Sequence, residues 1–247
     1  MTPAIRIEDL AFHYPGQPAL LSHFNLQVPA GSRFGLFGPN GAGKTTLMYL
    51  MTGLLTADSG GILLLGEEMR AGNHAAHSLL GFVPQDFSLY QELSPVENLA
   101  FFGAWSGLHT AVIRQRTKEL LDILGLSHVA DQPVRMFSGG MKRRVNLAIG
   151  VIHQPRLLFL DEPTVGVDVQ TRHAIIGYLK QLNAGGTTLV YTSHQLGEAE
   201  DLCDRVALID QGKIIAEDGL DNLLATRQNE GLEGLFLSLT GKNYRDQ

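Results

Sequence analysis

The segment Gly38-Pro39-Asn40-Gly41-Ala42-Gly43-Lys44-Thr45 constrains this chain more than any other stretch. It has the form G-x-x-x-x-G-K-[ST]. A strand-like apolar run, Phe34 to Phe37, leads into it, and a helical pattern from about Lys44 to Leu54 follows. Gly38, Gly41 and Gly43 open backbone conformations that other residues close, so successive N–H groups can turn inward on an anion. The helix starting near Lys44 adds its positive N-terminal end. Lys44 supplies a point charge for β- and γ-phosphates. Thr45 offers a hydroxyl to Mg²⁺, a hard cation that takes oxygen ligands, and Thr46 closes the nucleotide-binding stretch. A nucleoside triphosphate with Mg²⁺ is the ligand this chemistry expects.

A second element supports it. Leu157-Leu158-Phe159-Leu160 is an apolar strand pattern that ends in two carboxylates, Asp161 and Glu162. Asp161 is suited to hold Mg²⁺, directly or through water. Glu162 is then free to orient or deprotonate the attacking water. In open parallel sheets ligands gather at the carboxyl ends of strands, which is where both elements should lie.

The rest of the chain falls into three regions. From Ile5 to about Gly66, β-like runs (Ile5–Leu10, Phe24–Val28, Phe34–Phe37, Ile62–Leu65) alternate with turn clusters such as Tyr14-Pro15-Gly16. From about Leu89 to Gln154 the pattern is helical. Ser94 and Glu97 make an S-x-x-E capping box at Pro95. Leu120, Leu121 and Leu124 share one helical face, and a further helix follows Ser138 with Val145, Ala148, Ile149 and Ile152 at helical spacing. From Arg156 on, strands (Leu157–Leu160, Thr188–Thr192, Val206–Asp210) alternate with helices that begin near Val169 and Leu196. That is an α/β pattern with a largely parallel sheet, interrupted by a helical insertion. Leu232, Leu235, Phe236 and Leu239 mark a short amphipathic tail helix, read as packing against the body.

Composition excludes several classes. With 247 residues, 44% hydrophobic and 18% charged, the chain is long enough for a sizeable core and too apolar for disorder. A net charge of −6 argues against non-specific nucleic-acid binding. One cysteine, Cys203, allows no internal disulfide and reads as a small buried filler in a reducing compartment. Glu8 and Asp9 stand where a signal peptide would be apolar, so no leader is expected. No apolar run reaches the ~18–20 residues that span a bilayer, so a membrane role must come through a partner.

Five further features carry a family resemblance. Ser138-Gly139-Gly140-Met141, followed by Lys142-Arg143-Arg144, resembles the LSGGQ signature of ABC ATPases. Gln85 in Pro84-Gln85-Asp86 is similar to that family's Q-loop, Asp168 in Val165-Gly166-Val167-Asp168 to its D-loop, and His194 in Thr192-Ser193-His194 to its switch histidine. Tyr14 resembles the aromatic that stacks on adenine; Phe12 or a loop aromatic is the alternative. With the two elements above, these motifs run in family order along nearly the whole chain. The fold class implied is α/β: a P-loop NTPase (RecA-like) with a mostly parallel core sheet, an antiparallel β part and an inserted helical lobe. One ABC ATP-binding domain is expected, with a core lobe (1–88 and 155–227), a helical lobe (89–154) and a C-terminal tail (228–247).

The resemblance implies a head-to-tail pair, either two copies or one copy with a paralogous ATPase subunit. ATP and Mg²⁺ would be held by the phosphate loop of one subunit and by Ser138, Gly139 and Gly140 of the other. Glu162 and His194 would be catalytic, Thr45, Gln85 and Asp161 would touch the metal, and Asp168 would communicate across the dimer. A separate multi-spanning permease is the implied partner, with the chain cytoplasmic and peripheral on the inner face of the cell membrane. The signature departs from the family pattern at Phe137 and Met141, where leucine and glutamine are usual. Phe137 to Arg144, Glu162 to Asp168 and Leu235 to Gly241 look most like bacterial subunits of ABC-2-type exporters. The competing reading is a non-transport ABC ATPase acting on ribosomes or nucleic acid. The single cassette, the single cysteine and the acidic charge argue against it.

Overall fold

The computed structural model describes residues 3–70, 73–225 and 231–241. In chain order they form β1 (Pro3–His13), β2 (Ala19–Pro29), β3 (Arg33–Phe37), α1 (Lys44–Met51), β4 (Ser59–Leu64), β5 (Glu67–Glu68), α2 (His74–Ser78) and β6 (Leu80–Val83). Then come α3 (Pro95–Trp105), α4 (Thr110–Ile123), two short 3-10 turns, α5 (Gly139–Val151), β7 (Leu157–Asp161), α6 (Val169–Ala184) and β8 (Thr188–Ser193). The last elements are α7 (Gly197–Leu202), β9 (Arg205–Asp210), β10 (Lys213–Gly219), α8 (Leu220–Ala225) and α9 (Gly231–Thr240). Two units divide the chain: Met1–Leu79 with Thr188–Gln247, and Leu80–Thr187.

The first unit holds an antiparallel sheet, ordered β2-β1-β4-β5. It also holds strands β10-β9-β3-β8, in which β3 runs parallel to both β8 and β9. Every residue of β8 is buried and β3 is buried from Phe34 to Phe37. Such unbroken buried runs belong to parallel strands covered on both faces. Strand β10 pairs antiparallel with β9, and its residues, Lys-Ile-Ile-Ala-Glu-Asp-Gly, show neither an apolar run nor a regular alternation, which left it unmarked in the sequence pattern. In α9, Leu232, Leu235 and Phe236 are buried, as the packing reading expects, whereas Leu239 is exposed. Residues 226–230 and 242–247, parts of the expected tail region, lie outside the described residues.

The second unit pairs β6 with β7 in parallel, Leu80 opposite Leu157 through Val83 opposite Leu160. Helix α3 packs on α4 and α5, and α5 packs on β6. Ser94 caps α3 as its spacing predicts: its Oγ accepts from the Glu97 N–H, and the Glu97 carboxylate accepts from the Ser94 N–H at 2.8 Å. Val145, Ala148, Ile149 and Ile152 are all buried.

One helix end differs from expectation. Helix α1 stops at Met51 rather than Leu54. Gly53 turns the chain at φ +73°, and Leu54 ends 62% exposed. A left-handed glycine just past the last turn terminates a helix more strongly than an apolar residue extends it. Among the described residues no helix is long and apolar enough to cross a membrane.

Candidate functional site

In the first unit, residues 38–43 join the buried strand β3 to helix α1. A Cβ at Gly38 would lie 2.2 Å from the Ile209 carbonyl oxygen, so only glycine lets this loop pass so close to β9. Gly43 is the N-cap of α1 at φ +104°, a conformation that L side chains rarely adopt. No side chain caps α1 and no acidic residue stands in its first turn. No carboxylate of its own first turn therefore competes for its first N–H groups and the positive end of its dipole. Lys44 is 6% exposed, and its Nζ donates to the carbonyls of Gly38 (2.7 Å) and Pro39 (3.0 Å). Its charge is thus held inside the loop. The Ala42 N–H donates to the Pro39 carbonyl, while Asn40 and Gly41 form the exposed crest. Thr45 is half-buried and Thr46 buried.

Tyr14 joins this loop from the turn after β1. Its hydroxyl lies 3.0 Å from the Thr46 Oγ1. Its half-buried ring stands edge-on to Phe12 at 5.0 Å, while Phe12 is buried. His194 is half-buried immediately after β8. Two side-chain bonds help to order the turn that follows. The Gln195 N–H donates to the Ser193 Oγ, and the buried Tyr191 hydroxyl donates to the Glu198 carboxylate at 2.7 Å. Nothing in the sequence singles out Glu198 from Glu200 and Asp201 beside it; its burial does.

In the second unit, β7 ends at Asp161, which is buried, and Glu162 follows at φ +49°. That left-handed conformation is strained for a glutamate, and such strain persists only where surroundings over-determine it. Glu162 is buried and accepts from the Gln85 Nε2 at 3.3 Å. Helix α5 holds the Gln85 segment. Arg143 Nη1 donates to the Gln85 carbonyl at 2.5 Å, and its guanidinium lies 4.8 Å from the Phe87 ring centroid. Asn146 Nδ2 donates to the Pro84 carbonyl, and its Oδ1 accepts from the Ser88 N–H. Burial pushes the Arg143 pKa down, while the nearby carboxylates of Asp86 and Glu162 oppose that fall. Sequence reasoning took Arg143 as one of three basic residues; only its burial, with that of Asn146 one turn on, separates it from the other two.

Ser138 is the N-cap of α5, its Oγ accepting from the Met141 N–H. Ser138 and Gly139 are exposed and Gly140 is half-buried. This is a second helix start able to receive an anion. Asp168 caps α6, accepting from the Thr171 N–H (2.9 Å) and Oγ1 (2.8 Å). These bonds hold its carboxyl below the usual carboxylate range. A Cβ at Gly140 would stand 3.2 Å from Thr171 Oγ1 and 3.6 Å from Asp168 Oδ2, so the start of α5 and the start of α6 are neighbours.

The donors suit Mg²⁺. Among the described residues no cluster of three or more His, Cys, Asp or Glu could hold a metal by itself. Mg²⁺ needs no such cage: it is bound by one or two carboxylates with substrate phosphates and water. The hydroxyl of Thr45, the carboxylate of Asp161 and the amide oxygen of Gln85 are ligands of that kind.

A profile of the family described as "ABC transporter" matches residues 21–165, more than half of the chain. The linearmycin resistance ATP-binding protein of Bacillus subtilis (strain 168) is 43% identical over 201 residues, 81% of this chain and 65% of that protein's length. The Nod factor export ATP-binding protein I of Ralstonia nicotianae is 42% identical over 216 residues, 87% of this chain and 67% of that protein. The solved structure of an ATP-binding subunit of an ABC transporter matches with a TM-score of 0.88 at 28% identity, over 96% of this chain and 99% of that one. The chain thus spans about two thirds of the length of these two curated relatives. It belongs to the ABC transporter family, among its ATP-binding members.

Proposed function

We propose that this chain binds and hydrolyses ATP as half of a head-to-tail dimer and energises a separate multi-spanning permease of the ABC-2 exporter type. The observation that carries the reading is the presence of two anion-receiving helix starts: α1 behind the phosphate loop, and α5 behind Ser138 and Gly139. A chain that served its nucleotide alone would need only the first. In this reading the core lobe (1–88, 155–227) supplies the phosphate loop, the helical lobe (89–154) presents the signature to the other subunit, and 228–247 is a tail. The names of the relatives, one for resistance and one for export, support efflux as the direction of transport.

Each residue has a part. Tyr14 stacks on the base, and residues 38–46 cradle the phosphates, with Lys44 on the β- and γ-oxygens. Thr45, Gln85 and Asp161 would hold Mg²⁺, which when bound neutralises phosphate charge. Gln85 and His194 orient the attacking water. Glu162 accepts its proton as the water oxygen bonds to the γ-phosphorus and the bond to the bridging oxygen breaks, releasing ADP and phosphate. Ser138, Gly139 and Gly140 close on the γ-phosphate held by the other subunit, and Asp168 relays that closure.

The test is Glu162→Gln. It is expected to keep MgATP affinity, lower turnover by about 10²-fold or more, and accumulate as an ATP-bound dimer in sedimentation. Turnover at the parent rate would overturn the assignment of the base. Gentle membrane extraction is expected to recover a multi-spanning partner; recovery of a ribosome or DNA would favour a non-transport role instead.

A further inference from the structure

We propose that Arg143 is a positioning residue for ATP hydrolysis, holding the Gln85 backbone and, through the Gln85 side chain, the Glu162 carboxylate. The inference rests on the proposed ATPase reading and deepens it. Every group involved lies in the second unit. The Arg143 Nη1 bond to the Gln85 carbonyl sets where the Gln85 side chain begins, and that side chain ends in its 3.3 Å bond to Glu162. Arg143 is only 6% exposed, yet it reaches this carbonyl across the face of Phe87. A planar guanidinium can donate in its plane while its face lies on an aromatic ring, and an ammonium cannot do both. Asn146, one turn further on, bonds the same segment on either side of Gln85, at Pro84 and Ser88. The segment 84–88 is therefore fastened at three backbone points to one helix.

That helix is the one Ser138 caps. Arg143 sits little more than a turn from the segment offered to the other subunit's nucleotide. A shift of α5 as the pair closes would be carried rigidly to Gln85 and Glu162. Arg143 touches neither nucleotide nor water in this account; it acts through Gln85, and its loss should change the chemical step rather than binding.

The full chain is compared with Arg143→Met, Arg143→Lys, Gln85→Ala and the double Gln85→Ala/Arg143→Met in steady-state ATP hydrolysis. Affinity for MgATP and ATP-driven dimer formation are measured with the Arg143 substitutions placed in Glu162→Gln. Arg143→Met should lower kcat by about tenfold or more while affinity and dimer fraction stay within about twofold. Arg143→Lys, whose ammonium cannot both donate to the Gln85 carbonyl and lie on the Phe87 ring, should keep kcat about threefold or more below the parent with affinity unchanged. The double variant should be no slower than the slower single, the mark of one chain of action. Arg135→Met, which breaks only an exposed ion pair with Glu92, is the control and should match the parent. Parent-like kcat in Arg143→Met overturns the inference, as does a fall in affinity and dimer in step with kcat. If Arg143→Met does not melt cooperatively, Arg143→Lys decides. A kcat loss with unchanged affinity supports the proposal, and the parent rate overturns it. Failure of Glu162→Gln itself to dimerise with ATP would instead strike the proposed function.

Discussion

Gln85 donates through its Nε2 to the Glu162 Oε2 at 3.3 Å, and Glu162 holds this position at φ +49°. The bond ties a loop glutamine to the first residue beyond β7. Gln85→Ala leaves Glu162 without this donor but removes nothing from the phosphate loop. Steady-state hydrolysis of ATP is expected to show kcat reduced about tenfold to a hundredfold, with KM within about threefold. A rise in KM at unchanged kcat would contradict a role in the chemical step.

Gly38 and Gly139 should respond in opposite ways to alanine. At Gly38 the new Cβ meets the Ile209 carbonyl at 2.2 Å and its Cγ2 at 2.8 Å, so backbone must move. Gly38→Ala is expected to cost about 1–3 kcal/mol in denaturant unfolding and to weaken MgATP binding. A Cβ at Gly139 meets nothing within 4 Å. Gly139→Ala should therefore melt like the parent, while ATP-driven dimer formation, read by sedimentation, falls.

Asp168 gives a pH dependence with a definite sign. Its bonds from the Thr171 N–H and Oγ1 favour the carboxylate, so its pKa is lower folded than unfolded. The contribution is complete above the unfolded carboxylate value, near ~4, and is lost as pH falls through the lower folded value. The melting temperatures of the parent and Asp168→Ala should differ by a constant amount at neutral and mildly acidic pH. The gap should close only at strongly acidic pH. A gap that closes near neutrality would rule out this cap as its source.

Cys203 is buried beside Gly35, where a Cβ would meet its Sγ at 2.7 Å. Burial and the neighbouring Asp204 raise its thiol pKa far above the ordinary value. An aromatic disulfide reagent at mildly alkaline pH should label the native chain orders of magnitude more slowly than the denatured chain. Fast native labelling would show that this side of β3 is open to solvent.

Local chemistry made much of this molecule legible. The capping box at Ser94 and Glu97, the glycine loop before Lys44 and the cap at Ser138 involve groups within three or four residues of one another, and each stands where its spacing puts it. The buried strands β3, β7 and β8 announced themselves as apolar runs. Strands β6 and β10 did not. Leu80–Val83 is four residues long and gains its order by pairing with β7, and Lys213–Gly219 by pairing with β9.

Which residues suit phosphate, metal and water was legible in the sequence by itself, from side-chain type and from spacing within a few residues. The sequence could not separate Arg143 from Lys142 and Arg144. Only the tertiary structure buried Arg143 against Phe87 and the Gln85 carbonyl while leaving its two neighbours partly exposed. The reason is physical. A buried guanidinium is stable only where a carbonyl, a ring face and nearby carboxylates converge on it. Those groups come from segments far apart along the chain, so folding, not spacing, brings them together.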